Sequence, residues 1–304
     1  MIKAVFSSDM HWWPTPPVGR SNEPNWTASQ MASVRQVLEF ASFHNVPWFI
    51  AGDLFHHPNP PVGFVNQIID QFEKFNVRVF AIPGQHDIAY HRKEALSTSG
   101  YGNLMRAGVI DHLAYGNAFA IDPTTFVHPF GWGDEIEVTP TVPGFHIALS
   151  HRFVWRRNEG YTGAGKVDGA VSVSRFLEKH GYDLGVFGDN HTGFHLGKVW
   201  NCGTFMRRNR DEADYAPRFY VLKSDNTMSI EWLDQSKNLP MVENEIVLTV
   251  PKISLNVDDI RNAQTEIQYV DYDEFTEQWM KINETAPDVQ DRVKLLFDQV
   301  RNDG

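Results

Sequence analysis

Five times along this chain a short apolar run ends abruptly in a cluster that contains histidine, four times with aspartate beside it. Ile2–Phe6 leads into Asp9-Met10-His11, and Val46–Ile50 into Gly52-Asp53-Leu54-Phe55-His56. Val77–Ile82 leads into Gly84-Gln85-His86-Asp87, His146–Leu149 into Ser150-His151, and Leu184–Phe187 into Gly188-Asp189-Asn190-His191. Runs of this length, rich in β-branched and aromatic residues, fit buried strands. Between the first three lie residues at helical spacing: Met31, Val34, Leu38 and Phe40, then Phe64, Ile68, Ile69 and Phe72. Strand, helix, strand, helix, strand predicts an α/β domain with a largely parallel first sheet. Open sheets of this kind bind ligands beyond the C-terminal ends of their strands. All five clusters fall at such ends.

The rest of the chain adds a sixth strand-like run, Phe219–Leu222, and short strand-like pieces between Tyr115 and Pro143. Trp12 to Asn25 is rich in proline and polar residues and reads as a long loop. The turn Asn238-Leu239-Pro240 is the best boundary, dividing a domain over 1–240 from a C-terminal segment over 241–304. That segment holds a strand-like Ile246–Val250 and helix-like stretches Asp273–Ile282 and Asp288–Val300, hence a small α+β unit. A length of 304 residues suits one large domain with such an appendage. Cys202 is the single cysteine, which excludes an internal disulfide and suits a reducing cytoplasm. The N-terminus lacks the basic start and apolar run of a signal peptide, and no apolar stretch is long enough to span a bilayer.

The net charge of −11 argues against a polyanionic substrate until it is located. From Met241 to Gly304 there are 14 acidic and 6 basic residues, a net of −8, which leaves −3 for the other 240 residues. Two bound divalent cations would bring that larger part to about +1. The acidity therefore belongs to the C-terminal segment and does not exclude nucleic acid.

Five Asp/His clusters converging on one edge suit a pair of divalent cations. Such a pair needs a bridging carboxylate and a mixed oxygen and imidazole shell. It supplies an activated water and stabilises the attacking and leaving oxygens at phosphorus. Asp-x-His places two ligands on one side of an extended chain, and the glycines before Asp53, Gln85 and Asp189 permit tight turns.

The order Asp-x-His, Gly-Asp-x-x-His, Gly-Gln-His-Asp, His and Gly-x-x-His resembles the calcineurin-like metallophosphoesterase superfamily. That resemblance implies an α/β/β/α sandwich of two mixed sheets. Gly52 to His56, the prolines Pro58 to Pro61, the run Val79 to Gly84 and the later Gly203-Thr204-Phe205-Met206-Arg207 look like SbcD-type DNA-repair nucleases, which work with SbcC-type SMC ATPases. Compact members are common in bacteriophages, in which case the host cytoplasm is the setting. The resemblance covers about Met1 to Leu222. It implies that Asp9, His11 and His191 hold one metal, that Gln85, His151 and Asp189 hold the second, and that Asp53 bridges. It also implies that His86 protonates the leaving oxygen, that His56 orients substrate, and that Asp87 supports the site from behind. Two positions depart from the family pattern: Gln85 stands where asparagine is usual and Asp189 where histidine is usual. Both offer oxygen, which favours manganese or magnesium over zinc.

Around the ligands, Trp12 and Trp13 are candidates to stack on a nucleobase or to close the core. Arg152, Arg156, Arg157, Arg207, Arg208 and Arg210 are candidates for phosphate contact or for a solvated face. The reading is a DNA exo/endonuclease subunit with an SMC-like ATPase partner; a homodimer is compatible with it. A small-molecule phosphodiesterase or phosphatase would use the same metals. A non-catalytic scaffold would have no need of His86.

Overall fold

The computed structural model describes residues 1–137, 139–156, 168–209 and 212–236. The segment over 241–304, its boundary turn, Arg157 and Arg210 lie outside the described residues. In chain order the elements are β1 (Ile2–Ser7), α1 (Trp26–His44), β2 (Trp48–Ala51), α2 (Val62–Phe72), β3 (Val79–Ile82), α3 (Gly100–Arg106) and β4 (Asp111–His112). Then come β5 (Phe119–Asp122), β6 (Thr125–Phe130), β7 (Phe145–Ser150), β8 (Val154–Trp155), β9 (Asp168–Gly169), α4 (Ala170–Lys179) and β10 (Leu184–Phe187). The described part closes with β11 (Phe194–Leu196), β12 (Val199–Asn201), β13 (Arg218–Lys223) and β14 (Met228–Trp232).

The first sheet runs β14-β13-β1-β2-β3-β4, with β1 to β4 parallel and the last two strands added antiparallel at the β1 edge. The second runs β11-β12-β10-β7-β6-β5, with a parallel centre and an antiparallel strand at each edge. Both are mixed, as the resemblance implies. Side chains alternate across each strand, and here both faces are covered. Ala4, Phe6, Phe49, Ala51, Ile147 and Leu149 pack between the sheets. Val5, Trp48 and Ile50 face α1 and α2, while Ala148 and Phe187 face α4 through Val173 and Leu177. Strands buried on both faces read as continuous apolar runs, which is why their positions are legible from sequence.

Local chemistry sets the helix ends. The side chain of Asn25 accepts the Ala28 N–H at 2.9 Å and so caps α1, and Asn45 ends that helix in the left-handed region at φ 53°. The Trp12–Asn25 stretch is largely irregular, with one short helical turn at Val18–Arg20. None of the described helices is long and apolar enough to cross a membrane.

Candidate metal centre

The loops that follow β1, β2, β3, β7 and β10 bring the five clusters together. Asp9, His11 and His191 form one group of converging donor atoms, and Asp9, Asp53 and His151 a second. Oδ2 of Asp53 lies 3.7 Å from Nε2 of His11, 3.4 Å from Nε2 of His151 and 4.0 Å from Nε2 of His86. Nε2 of His11 is 3.0 Å from Nε2 of His191. On the other side, the Gln85 amide donates to Asp189 Oδ1 at 2.7 Å. Of the seven ligand candidates, Asp9, His11 and His151 thus lie closest about the Asp53 carboxylate, while Gln85 and Asp189 pair with each other.

The donor set fits cations. Asp53 Oδ2 and His151 Nε2, 3.4 Å apart, are buried without a hydrogen-bond partner, as is Gln85 Oε1. A buried polar atom left unsatisfied costs about 1–3 kcal/mol, so two this close together call for a ligand. Electrostatics are divided: against burial, Asp53 raises His151 and Glu212 raises His191, both toward the charged ring. Burial raises Asp9 to about 6, although the rings of His151 and His191 oppose the rise. Burial also acts to raise Asp53, but His151, His11 and His86 outweigh it and hold Asp53 below the usual carboxylate range. Burial pushes His11 well below its ordinary value, so it presents a neutral ring, the form that ligates metal.

The backbone departs from the extended chain that the Asp-x-His spacing suggests. Asp9 (φ 53°), His11 (φ 45°), Asp53 (φ 52°) and Asp189 (φ 76°) all occupy the left-handed region. That conformation costs a non-glycine residue on the order of 1 kcal/mol. Here it is held by hydrogen bonds: the Asp9 and His11 N–H groups donate to the carbonyls of Gly52 (3.1 Å) and Asp53 (3.0 Å), and the Asp189 N–H to the Asp9 carboxylate (3.1 Å). Two glycines are required here. Gly52 has a positive φ of 87°, and a methyl group there would also overlap the His151 ring. Gly84 has an ordinary φ of −97° and is required for room alone. A methyl group there would overlap the Asp53 carboxylate and stand 2.5 Å from the Asp53 nitrogen. Gly84→Ala is therefore expected to displace Asp53 and weaken manganese binding at least about tenfold. Unchanged affinity in a manganese titration would show that the close approach does not position Asp53.

His86 sits beside the cluster. Its Nδ1–H donates to the His56 carbonyl at 2.8 Å, which leaves Nε2 free, and its side chain is 37% exposed. The His56 ring stacks on it at 5.5 Å between centroids. Asp87 is fully buried and accepts N–H bonds from Gly84 (2.9 Å), Phe55 (3.0 Å) and Leu54 (3.2 Å). It ties two ligand loops together and has no access to substrate, so its part is support and not chemistry.

The flanking candidates separate. Trp12 is 0% exposed and packs edge-on against Phe55 and Phe72, which removes it from nucleobase stacking. Its N–H bonds Leu54 and it pairs with Phe55 as an isolated parallel bridge, so the chain there is extended. Consecutive residues then point opposite ways, and Trp13 is part-exposed against His57 at 4.8 Å. Arg152 pairs with Glu135 at 3.2 Å, and Arg156 is exposed. Arg207 donates to the Ala213 carbonyl at 3.0 Å. Arg208 is buried and donates to the His11 carbonyl, so it braces a ligand loop and offers no open surface to phosphate.

Glu212 escapes the sequence reading altogether. Its carboxylate faces Nδ1 of His191 at 3.2 Å and accepts the N–H groups of Arg208 (2.6 Å) and Asn209 (2.9 Å). It orients a candidate ligand histidine from 21 residues downstream, where no spacing announces it. His195, the nearest other histidine to that cluster in sequence, is exposed and stacks on Trp200.

Residues 2–193 match the family described as calcineurin-like phosphoesterase. No curated protein matches the chain in sequence. Solved structures resemble the chain at low identity. An archaeal phosphodiesterase is 13% identical with a TM-score of 0.38, over 76% of this chain and 99% of that one. A candidate 5′-nucleotidase of Staphylococcus aureus, in complex with α-ketoglutarate, is 13% identical with a TM-score of 0.47, over 86% of this chain and 57% of that one. A protein of Thermus thermophilus is 10% identical with a TM-score of 0.43, over 77% of this chain and 100% of that one.

Proposed function

The chain belongs to the calcineurin-like phosphoesterase family, and on that premise we propose that it is a DNA exo/endonuclease subunit that works with an SMC-like ATPase. Membership makes it a metal-dependent phosphoester hydrolase. The observation that carries the reaction is the unsatisfied pair of Asp53 and His151 beside a histidine with one free nitrogen. Asp9, His11 and His191 would hold one cation, Gln85, His151 and Asp189 the other, and Asp53 would serve both. When bound, such cations supply an activated water and neutralise charge on the phosphoryl oxygens. His86 is pinned through Nδ1–H and presents Nε2 on the exposed side, where the doubly protonated ring can hand its Nε2 proton to the leaving oxygen and return to the neutral form.

The choice of DNA rests on the resemblance of Gly52–His56, the following prolines and Gly203–Arg207 to SbcD-type nucleases. It is supported by His56 stacked on His86 and by Arg156 and Trp13 at the surface. The test is degradation of linear DNA by the manganese-loaded protein, beside hydrolysis of a generic aryl phosphodiester. Strand degradation that Asp53→Asn abolishes supports the nuclease reading. Hydrolysis of the aryl ester with DNA left intact would point instead to a small-molecule phosphodiesterase. Activity on neither would point to a scaffold.

Manganese is expected to support more turnover than zinc, because Gln85 and Asp189 make the second ligand set oxygen-rich. A metal titration with zinc as the best activator would contradict this. Asp189→His should move the preference toward softer ions.

The segment from Met241 is proposed to serve a protein contact and not DNA, because its net charge of −8 repels phosphates. A chain truncated after Pro240 is expected to cut DNA and to lose the ATPase. Normal ATPase binding by that chain would refute the docking role, and insolubility would assign the segment to the core.

A further inference from the structure

His11, His56 and His86 form a third group of converging donors, with their ligand atoms within 4.8 Å of one another, and this group contains only imidazole. The ring centroids are 4.9 Å apart for His11 and His86, 5.8 Å for His11 and His56, and 5.5 Å for His56 and His86. We propose that these three histidines are an inhibitory site for a borderline divalent ion such as zinc, competing with the catalytic pair through the shared His11.

Ligand chemistry separates the two uses of His11. With Asp9, Asp53 and His191 it belongs to a set half made of carboxylate oxygen, which suits manganese or magnesium. With His56 and His86 it belongs to a set of nitrogens, which suits zinc, copper or nickel. The rings are free to act as ligands. His86 commits Nδ1 to the His56 carbonyl and leaves Nε2 open. Nδ1 of His56 is buried without a partner, and His11 is common to this group and to the group with Asp9 and His191. An ion held there would occupy the nitrogen of His86 that faces the reaction and would draw His11 away from Asp9 and His191. The proposal rests on the phosphoesterase reading only for this inhibitory consequence; ion binding by the three rings stands apart from it.

His56→Phe is the discriminating variant. It keeps the ring against His86 and His57 and removes both nitrogens. The anchor of His86 is the backbone carbonyl of residue 56, which the substitution leaves in place. Zinc affinity is measured by competition with a chromophoric chelator, manganese binding by electron paramagnetic resonance, and folding by thermal denaturation, all on the full chain. Zinc affinity is expected to fall at least about tenfold, the loss that even an outer partner of a metal ligand produces. Manganese affinity should stay within about twofold. Zinc affinity equal to that of the parent overturns the proposal. An equal fall for both metals also overturns it, since His56 would then belong to the catalytic centre or to the fold. Failure of the phosphoesterase reading would show separately, as manganese binding by the parent that Asp53→Asn leaves unchanged.

Discussion

Asp53→Asn is expected to abolish manganese binding and to reduce turnover to near background. The carboxylate is 0% exposed, and its Oδ2 faces three ring nitrogens at 3.4–4.0 Å. Its Oδ1 accepts the His86 N–H at 2.9 Å. An asparagine can keep that last bond, so the loop is expected to hold its course. What it cannot supply is the negative charge on the atom that both ligand sets share. The amide also turns an N–H donor or a weak acceptor toward rings that need a carboxylate between them. Loss of metal removes several kcal/mol of transition-state stabilisation. At 1.36 kcal/mol per factor of ten, that corresponds to roughly a thousandfold or more in rate. Bound manganese per chain and turnover on DNA or an aryl phosphodiester are the two measurements. Normal turnover with metal retained would end the two-metal reading.

The strand ends and the candidate ligands were legible for one reason. Each of β1, β2, β3, β7 and β10 is buried on both faces, so each is a short apolar run, and a Gly, Asp or His cluster after such a run has no packing explanation. The order of the sheets was not legible in the same way. β13 and β14 join the edge beside β1 from more than 200 residues away in sequence. Nothing in the strands themselves encodes that partner. The left-handed backbone at Asp9, His11, Asp53 and Asp189 was hidden as well, because those residue types do not announce a positive φ as glycine does. The hydrogen bonds that hold it come from the neighbouring loop.

Two other features were beyond local reading. Trp12 and Trp13 look alike in sequence, yet one lies in the core and the other at the surface, because the chain is extended there. Glu212 and Arg208 act on His191 and His11 across the fold. A carboxylate behind a ligand histidine leaves no pattern in a single chain, since it need only arrive in space and not at a fixed spacing.

His86→Gln is expected to keep both metals and lose chemistry. The His86 ring lies 4.0 Å from Asp53 Oδ2 and edge-on to His11, and its fixed side-chain contact is Nδ1–H to the His56 carbonyl. Glutamine can donate to the same carbonyl, so the loop between Gly84 and Asp87 is expected to stand. The amide has no proton to give at neutral pH, whereas an imidazole is the side chain suited to that exchange. A positioned acid contributes about 100- to 10,000-fold, and the fall should lie in kcat with KM little changed, since the interaction is made as the leaving oxygen gains charge. The leaving group provides an internal control. A DNA strand leaves as an alkoxide that needs a proton, while a nitrophenolate does not. The loss on DNA should therefore exceed the loss on a nitrophenyl phosphodiester by at least about tenfold. Equal losses on the two substrates would mean that His86 binds phosphate or shapes the site and is not the acid. Unchanged rates on DNA would remove it from the reaction altogether.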